Sequence, residues 1–285
     1  MTNRAVFACV VASVLMSGVR SADAGAVFVE TFDIQNEWSN ASNPTGRWSY
    51  LEGSNPLPPV AWWQSSLGGW SAAQPGWARS ENGNNRLPFW FKSNGTETFP
   101  RDFIAGDVVL HTTDSSNGVG QGLGAVEWRA PFRGVVNVQG AVWMGRDIGR
   151  SNAWRLYVNG NLVRSGSIAS GDPYSRANPF RLVDGAGPGG LTNLPIGCGG
   201  TVRLEFERTS SAGDFVGVSL SGEWGSVICE GDINADGIVN TADLVAFLAE
   251  FGQTGGGLCA DFNNDSQVNT SDLAAFLGRF GSTCP

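Results

Sequence analysis

Histidine is nearly absent from these 285 residues: His111 stands alone. One histidine among widely spaced cysteines argues against a zinc centre, which needs four Cys or His ligands in close spacing. Long hydrophobic runs are missing too. The longest, Ala5 to Met16, falls short of the roughly 20 apolar residues that a membrane-spanning helix requires, so no transmembrane anchor is expected. Basic clusters are also lacking. The net charge is −8, which argues against nucleic acid and anionic lipid as partners.

What is present begins with a leader. Residues 1–24 carry Arg4, the apolar run and Ala22-Asp23-Ala24 before Gly25, the layout of a secretory signal peptide with a small-residue cleavage site. The expectation is an exported, extracellular protein. Cys9 leaves with the leader, and Cys198, Cys229, Cys259 and Cys284 remain. An even count in an exported chain favours disulfides, with three pairings open. Cys229, Cys259 and Cys284 all lie at the C-terminal end, so at least one bridge inside residues 226–285 is expected.

That end contains an internal duplication. Residues 231–252, GDINADGIVNTADLVAFLAEFG, recur 29 positions later as ADFNNDSQVNTSDLAAFLGRFG. Oxygen donors fall at loop positions 1, 3, 5, 9 and 12, with a backbone carbonyl at 7, the pattern that a hard, flexible cation such as Ca2+ requires. The first loop offers Asp232, Asn234, Asp236, the Ile238 carbonyl, Asn240 and Asp243. The second offers Asp261, Asn263, Asp265, the Gln267 carbonyl, Asn269 and Asp272. Gly237 fills position 6, where a left-handed turn costs glycine least; Ser266 stands there in the second loop, which is expected to bind more weakly or slowly. After each loop Leu, Phe, Leu and Phe recur at helical spacing, one stripe to bury against its copy. The segment before the first loop is too rich in glycine for an entering helix, so each unit is a loop and an exiting helix.

The paired DxNxDG-like loops with Asp at position 12, followed by LxxFLxxFG helices, resemble a type I dockerin, an EF-hand-like calcium module that anchors secreted proteins to cohesin domains. The resemblance implies two Ca2+ sites and a cohesin-type scaffold partner, with Thr241, Ala242, Thr270 and Ser271 at the partner-reading positions. Residues 229–285 hold eight acids and one base, Arg279, so most of the chain's net negative charge falls in this tail. The isolated tail, 226–285, is expected to lose helix in chelator, because ligand at 100 times its dissociation constant adds roughly 2.7 kcal/mol, comparable to the whole stability of so small a unit.

Residues 25–225 read differently. Strand-like alternation marks 26–34, 107–111, 124–128, 135–143, 154–163, 202–208 and 215–220, and Asn159-Gly160 is a hairpin signal. Short strands and Gly-rich turns without helices predict a mainly β fold, an antiparallel β-sandwich of jelly-roll type, followed by the small helical module. The order of TGRWSYLEG, SLGGW, residues 107–142 and WRLYVNGNLVRSG resembles a jelly-roll, carbohydrate-module-like domain of secreted bacterial proteins.

Seven of the eleven tryptophans lie between Trp38 and Trp90. Indole faces stack on sugar rings, and Trp62, Trp63, Trp70 and Trp77 are the candidate ligand contacts; core packing is the competing role for each. Adjacent residues on a strand face opposite ways, so Trp62 and Trp63 are not both expected in the core. No catalytic constellation stands out. Glu127, Glu205 and Glu207 alternate with apolar residues as on a solvated strand face; Asp33 and Glu81 have no evident partner, and His111 has no nucleophile beside it. Three readings follow: a polysaccharide-binding module on a calcium-dependent anchor, a polysaccharide hydrolase or lyase carrying the same anchor, and a structural surface protein without glycan ligand.

Overall fold

The computed structural model describes residues 27–63, 69–82, 86–113, 123–131, 134–227, 231–234, 237–255, 258–263, 265 and 267–283. The leader, Cys229, Cys284, Asp236 and Ser266 lie outside the described residues. In chain order the strands are β1 (Val27–Asp33), β2 (Trp48–Glu52), β3 (Asn55–Pro56), β4 (Pro59–Val60), β5 (Gly76–Ala78), β6 (Phe89–Lys92), β7 (Val108–His111) and β8 (Gly124–Arg129). They continue as β9 (Gly134–Met144), β10 (Ser151–Val158), β11 (Asn161–Ala169), β12 (Phe180–Arg181), β13 (Leu194–Ile196), β14 (Thr201–Arg208) and β15 (Phe215–Val227). Two helices follow, α1 (Thr241–Glu250) and α2 (Thr270–Leu277).

All strand pairs are antiparallel and form two sheets. The first runs β12-β9-β15-β7-β6-β5-β4, with β1 beside β15 and β13 beside β9; the second runs β11-β10-β14-β8-β2-β3. Period-2 patterning explains the second sheet. In β10 Asn152, Trp154, Leu156 and Val158 point inward, and in β14 Val202, Leu204 and Phe206 do so, while their neighbours face outward. The inward set packs against Val108, Leu110, Val136, Val138, Val142, Val216, Val218 and Leu220 of the first sheet in one core. The chain is thus mainly β and sandwich-like, as the alternation predicts. The β10–β11 hairpin turns at Asn159 and Gly160, both at positive φ, a conformation that this residue pair adopts readily.

The first sheet has a second buried face. Phe89 and Phe91 of β6, Val109 of β7 and Phe215 of β15 lie opposite the main core and pack with Trp63, Leu87 and Phe103, flanked by half-buried Trp70 and Phe99. With both faces covered, β6 reads Phe-Trp-Phe without alternation.

One disulfide is described, Cys198–Cys259, joining the loop between β13 and β14 to the C-terminal repeat across 61 residues of sequence. The bridge expected within the tail is not this one; Cys229 and Cys284, the other candidates, lie outside the described residues. In the chain-entropy account a loop of this length stabilises the fold by about 4 kcal/mol.

Burial pushes the Asp214 carboxyl at the start of β15 from its ordinary 3.8 up to about 6, against the lowering effects of the Phe215 N–H and of Arg146 and Arg150. Folded chains therefore bind this proton more tightly than unfolded ones. Stability from this group is full below about pH 4 and declines as pH rises through 6, by on the order of 3 kcal/mol. Asp214→Asn keeps an acceptor for the Phe215 N–H. It is expected to flatten the stability profile between pH 4 and 6 and to raise the melting temperature at pH 7, as a pH series of thermal melts would read.

Candidate metal centre

Each repeat begins with an oxygen-rich loop closed onto its helix by a capping box. Asn240 caps α1, accepting from the Ala242 N–H at 2.7 Å, and Asn269 caps α2, accepting from Ser271 at 2.8 Å. The position-12 carboxylates are buried and hold the loops shut. Asp243 accepts from the Asn234 and Asn240 N–H groups at 2.9 Å each. Asp272 accepts from Asn269 and Phe262 at 2.9 Å and from Asn263 at 3.2 Å. Asp232 receives the Gly237 N–H at 2.9 Å, and Gly237 adopts φ +88, the turn for which position 6 selects glycine. In the second loop Asp265 accepts from Gln267 at 2.9 Å and gives its own N–H to Asp261 at 3.1 Å.

The two copies interlock by the same 29-residue offset that relates their sequences. Val239 exchanges backbone hydrogen bonds with Gly281 and Ser282, and Val268 does so with Gly252 and Gln253. Their shared core is Val239, Val268, Phe247, Phe276 and Ala260, with Phe247 and Phe276 stacked at 5.7 Å. Only part of each apolar stripe is consumed. Leu244 and Leu273 are partly buried, whereas Leu248, Phe251, Leu277 and Phe280 stay exposed. This corrects the expectation that the two stripes bury each other. Two short helices crossing at one Phe pair are too small to cover four turns of apolar surface.

The donor set fits a hard divalent cation. Carboxylate oxygens of Asp261, Asp265 and Asp272 lie within 4.8 Å of one another. Asp232, Asp243, Asp261 and Asp272 are all buried. Carboxylates gathered this closely repel unless a cation or protons neutralise them. Oxygen donors alone, with no sulfur or imidazole among these loop residues, favour Ca2+ over Zn2+. Asn234, Ile238, Asn240, Asn263, Gln267 and Asn269 sit on the same loops; Asp236 is outside the described residues.

The tryptophan candidates separate. Trp62 is 44% exposed, while Trp63 and Trp77 are each 1% exposed. Trp63 stacks on Phe89 at 4.5 Å and donates to the Arg86 carbonyl; Trp77 pairs with Trp90 across β5–β6 and donates to the Ser39 carbonyl. Neither offers an indole face to a ligand, which corrects both candidates: their rings fill the two cores. Trp70 is half-buried, edge-on to Trp63, Phe89, Phe91, Phe99 and Phe215. Trp62 alone faces outward from a fixed backbone, its N–H and that of Ala61 both bound to Glu81 at 3.0 and 2.9 Å.

The sandwich carboxylates that the sequence singles out all have partners. Arg203 lies within 3.7 Å of Glu127 and 3.1 Å of Glu205, and Arg155 within 2.7 Å of Glu207, on the outer face of the second sheet. Asp33 accepts from Gln35 and Asn36 in a turn. His111 packs on Phe215 at 4.5 Å with Nδ1 at 2.8 Å from the Thr112 carbonyl. Asp214 is buried with Thr112 and Asn152, a placement that no local sequence signal marks. No protein-family model and no curated protein matches this chain.

Proposed function

We propose that the chain is a secreted calcium-binding protein in which a dockerin-like tail anchors a jelly-roll domain that binds polysaccharide. The observation that carries the reading is the pseudo-symmetric tail. Two oxygen-donor loops repeat in register, each locked by a buried position-12 Asp, and Leu248 and Leu277 on the helices and Phe251 and Phe280 just beyond them are exposed. Bound Ca2+ would neutralise the gathered carboxylates and fasten each loop to its helix. Asp232, Asn234, Asp236, Ile238, Asn240 and Asp243 would hold one ion, and Asp261, Asn263, Asp265, Gln267, Asn269 and Asp272 the other. The exposed Leu and Phe pairs supply the apolar centre that a cohesin-type partner needs, since such patches mark interaction sites. The test is calcium-dependent binding of the full chain to a panel of type I cohesins. Leu248→Asp with Leu277→Asp is expected to abolish it, and binding that persists in chelator contradicts the reading.

Glycan recognition rests on Trp62, with half-buried Trp70, edge-on to the Trp63 ring, as the second candidate. On a glycan array Trp62→Ala is expected to weaken the signal about tenfold, the scale of one lost stacking contact with its buried area. Trp77→Ala instead lowers stability, which separates the ligand contact from the core residue. The pairing of Glu127, Glu205 and Glu207 with arginines favours a binding role over a hydrolase, since a glycosidase needs two carboxylates facing one cleft.

A further inference from the structure

The Cys198–Cys259 bridge ends two residues before Asp261, the first donor of the second loop. Cys259 is flanked by Leu258, which packs on the module core, and by Ala260, which is fully buried and gives its N–H to Glu250 Oε2 at 2.8 Å. The other sulfur belongs to the 197–200 loop of the sandwich, whose Gly200 carbonyl accepts from Ala130. The approach to the second loop is therefore held on one side by a covalent tie to the β-sandwich. On the other, Asp272 is fixed at the start of α2.

We propose that this bridge is a redox-sensitive coupling element: the oxidised chain holds the second loop in its calcium-binding shape, and reduction weakens that site. The inference rests on the calcium reading above. With the bridge intact, Asp261 is positioned against Asp265 and Asp272 before an ion arrives, and little ordering remains for binding to supply. Without it, the 258–261 segment loses its covalent tie to the sandwich and is left to non-covalent contacts such as the packing of Leu258 and Ala260 and the hydrogen bonds to Glu250 and from Asp265. Reduction is an exchange with an external dithiol. One thiolate attacks a bridge sulfur to give a mixed disulfide, and the second thiol resolves it. Two electrons and two protons pass to Cys198 and Cys259, and the dithiol leaves as its own disulfide. Linkage is reciprocal: whatever factor the bridge adds to calcium affinity, calcium adds to the bridge's resistance to reduction.

The experiment is calorimetric titration of Ca2+ into the full-length oxidised chain and into Cys198→Ser/Cys259→Ser, with the melt of the sandwich as a folding control. Two binding steps are expected in the oxidised chain, with one about tenfold weaker in the variant and the other unchanged. Two unchanged steps overturn the coupling while leaving the calcium reading intact. No binding to the oxidised chain overturns both. Should the variant fold poorly, the native chain gives the same answer from the other side: at equilibrium in a dithiol/disulfide buffer, the ratio of reduced to bridged Cys198–Cys259, read by trapping the free thiols, is expected to fall about tenfold in excess Ca2+, and an unchanged ratio overturns the proposal.

Discussion

Replacing Asp243 and Asp272 together by alanine is expected to unfold the C-terminal module and abolish its response to calcium, while the sandwich still melts as a cooperative unit. Between them the two carboxylates accept five backbone N–H groups, from half-buried Asn240, Phe262 and Asn269 and from exposed Asn234 and Asn263. Each of the three half-buried donors left without a partner costs about 1–3 kcal/mol, and losing the charged half of each capping box adds to that. The module's core is one stacked Phe pair with two valines and an alanine at its centre, too little to absorb such a loss. Circular dichroism at 222 nm should show the helical signal gone with or without Ca2+. Asp243→Asn and Asp272→Asn, which keep one acceptor oxygen each, should retain helix in part but lose calcium affinity. A double alanine variant with native helicity would show that the loops close without these residues.

Gly217→Val is the second large effect, and it falls on the sandwich. Gly217 pairs with Trp143 across β15–β9, and the indole lies over it: a Cβ built on Gly217 would come within 2.0 Å of Trp143 Cε2. The ring has no free alternative, because its Nε1 donates to the Asp102 carbonyl at 2.6 Å. Valine must expel the indole or force the strands apart. The expected cost is about 3 kcal/mol or more, which for a domain near 200 residues lowers the melting temperature by roughly 6–12 °C. Trp143→Ala in the same background should recover part of the loss by vacating the clash. A Gly217→Val chain that melts like the parent would mean Trp143 does not lie across that strand.

Legibility in the sequence followed how local each cause is. The turn at Gly237 and the closure of each loop onto its helix could be read because the residues that make them, Gly237 and the capping pairs Asn240/Asp243 and Asn269/Asp272, lie within twelve residues of each other in each copy. β10 and β14 could be read because one face is buried and the other solvated, so the period of two survives in Trp154, Leu156 and Val158. β6 could not, since Phe89, Trp90 and Phe91 are all buried between two cores and carry no alternation. The tryptophans divided for a similar reason. Nothing beside Trp63 or Trp77 announces the aromatic partners that the fold brings to them from elsewhere in the chain, Phe89 to the first and Tyr50 and Trp90 to the second. The Cys198–Cys259 bridge and the outward-facing Leu248 and Leu277 depend on how the tail meets the sandwich and on how little two short helices can cover, and neither is written in spacing.

Calcium binding by the duplicated tail is tested by the stoichiometry of Ca2+ bound by the full chain at equilibrium, read alongside helical circular dichroism. Two ions per chain, with helix lost on chelation and restored on calcium return, is the predicted result. No bound calcium and unchanged helix in chelator would contradict the account, leaving the carboxylates of Asp261, Asp265 and Asp272 as a hydrogen-bonded loop closure and nothing more.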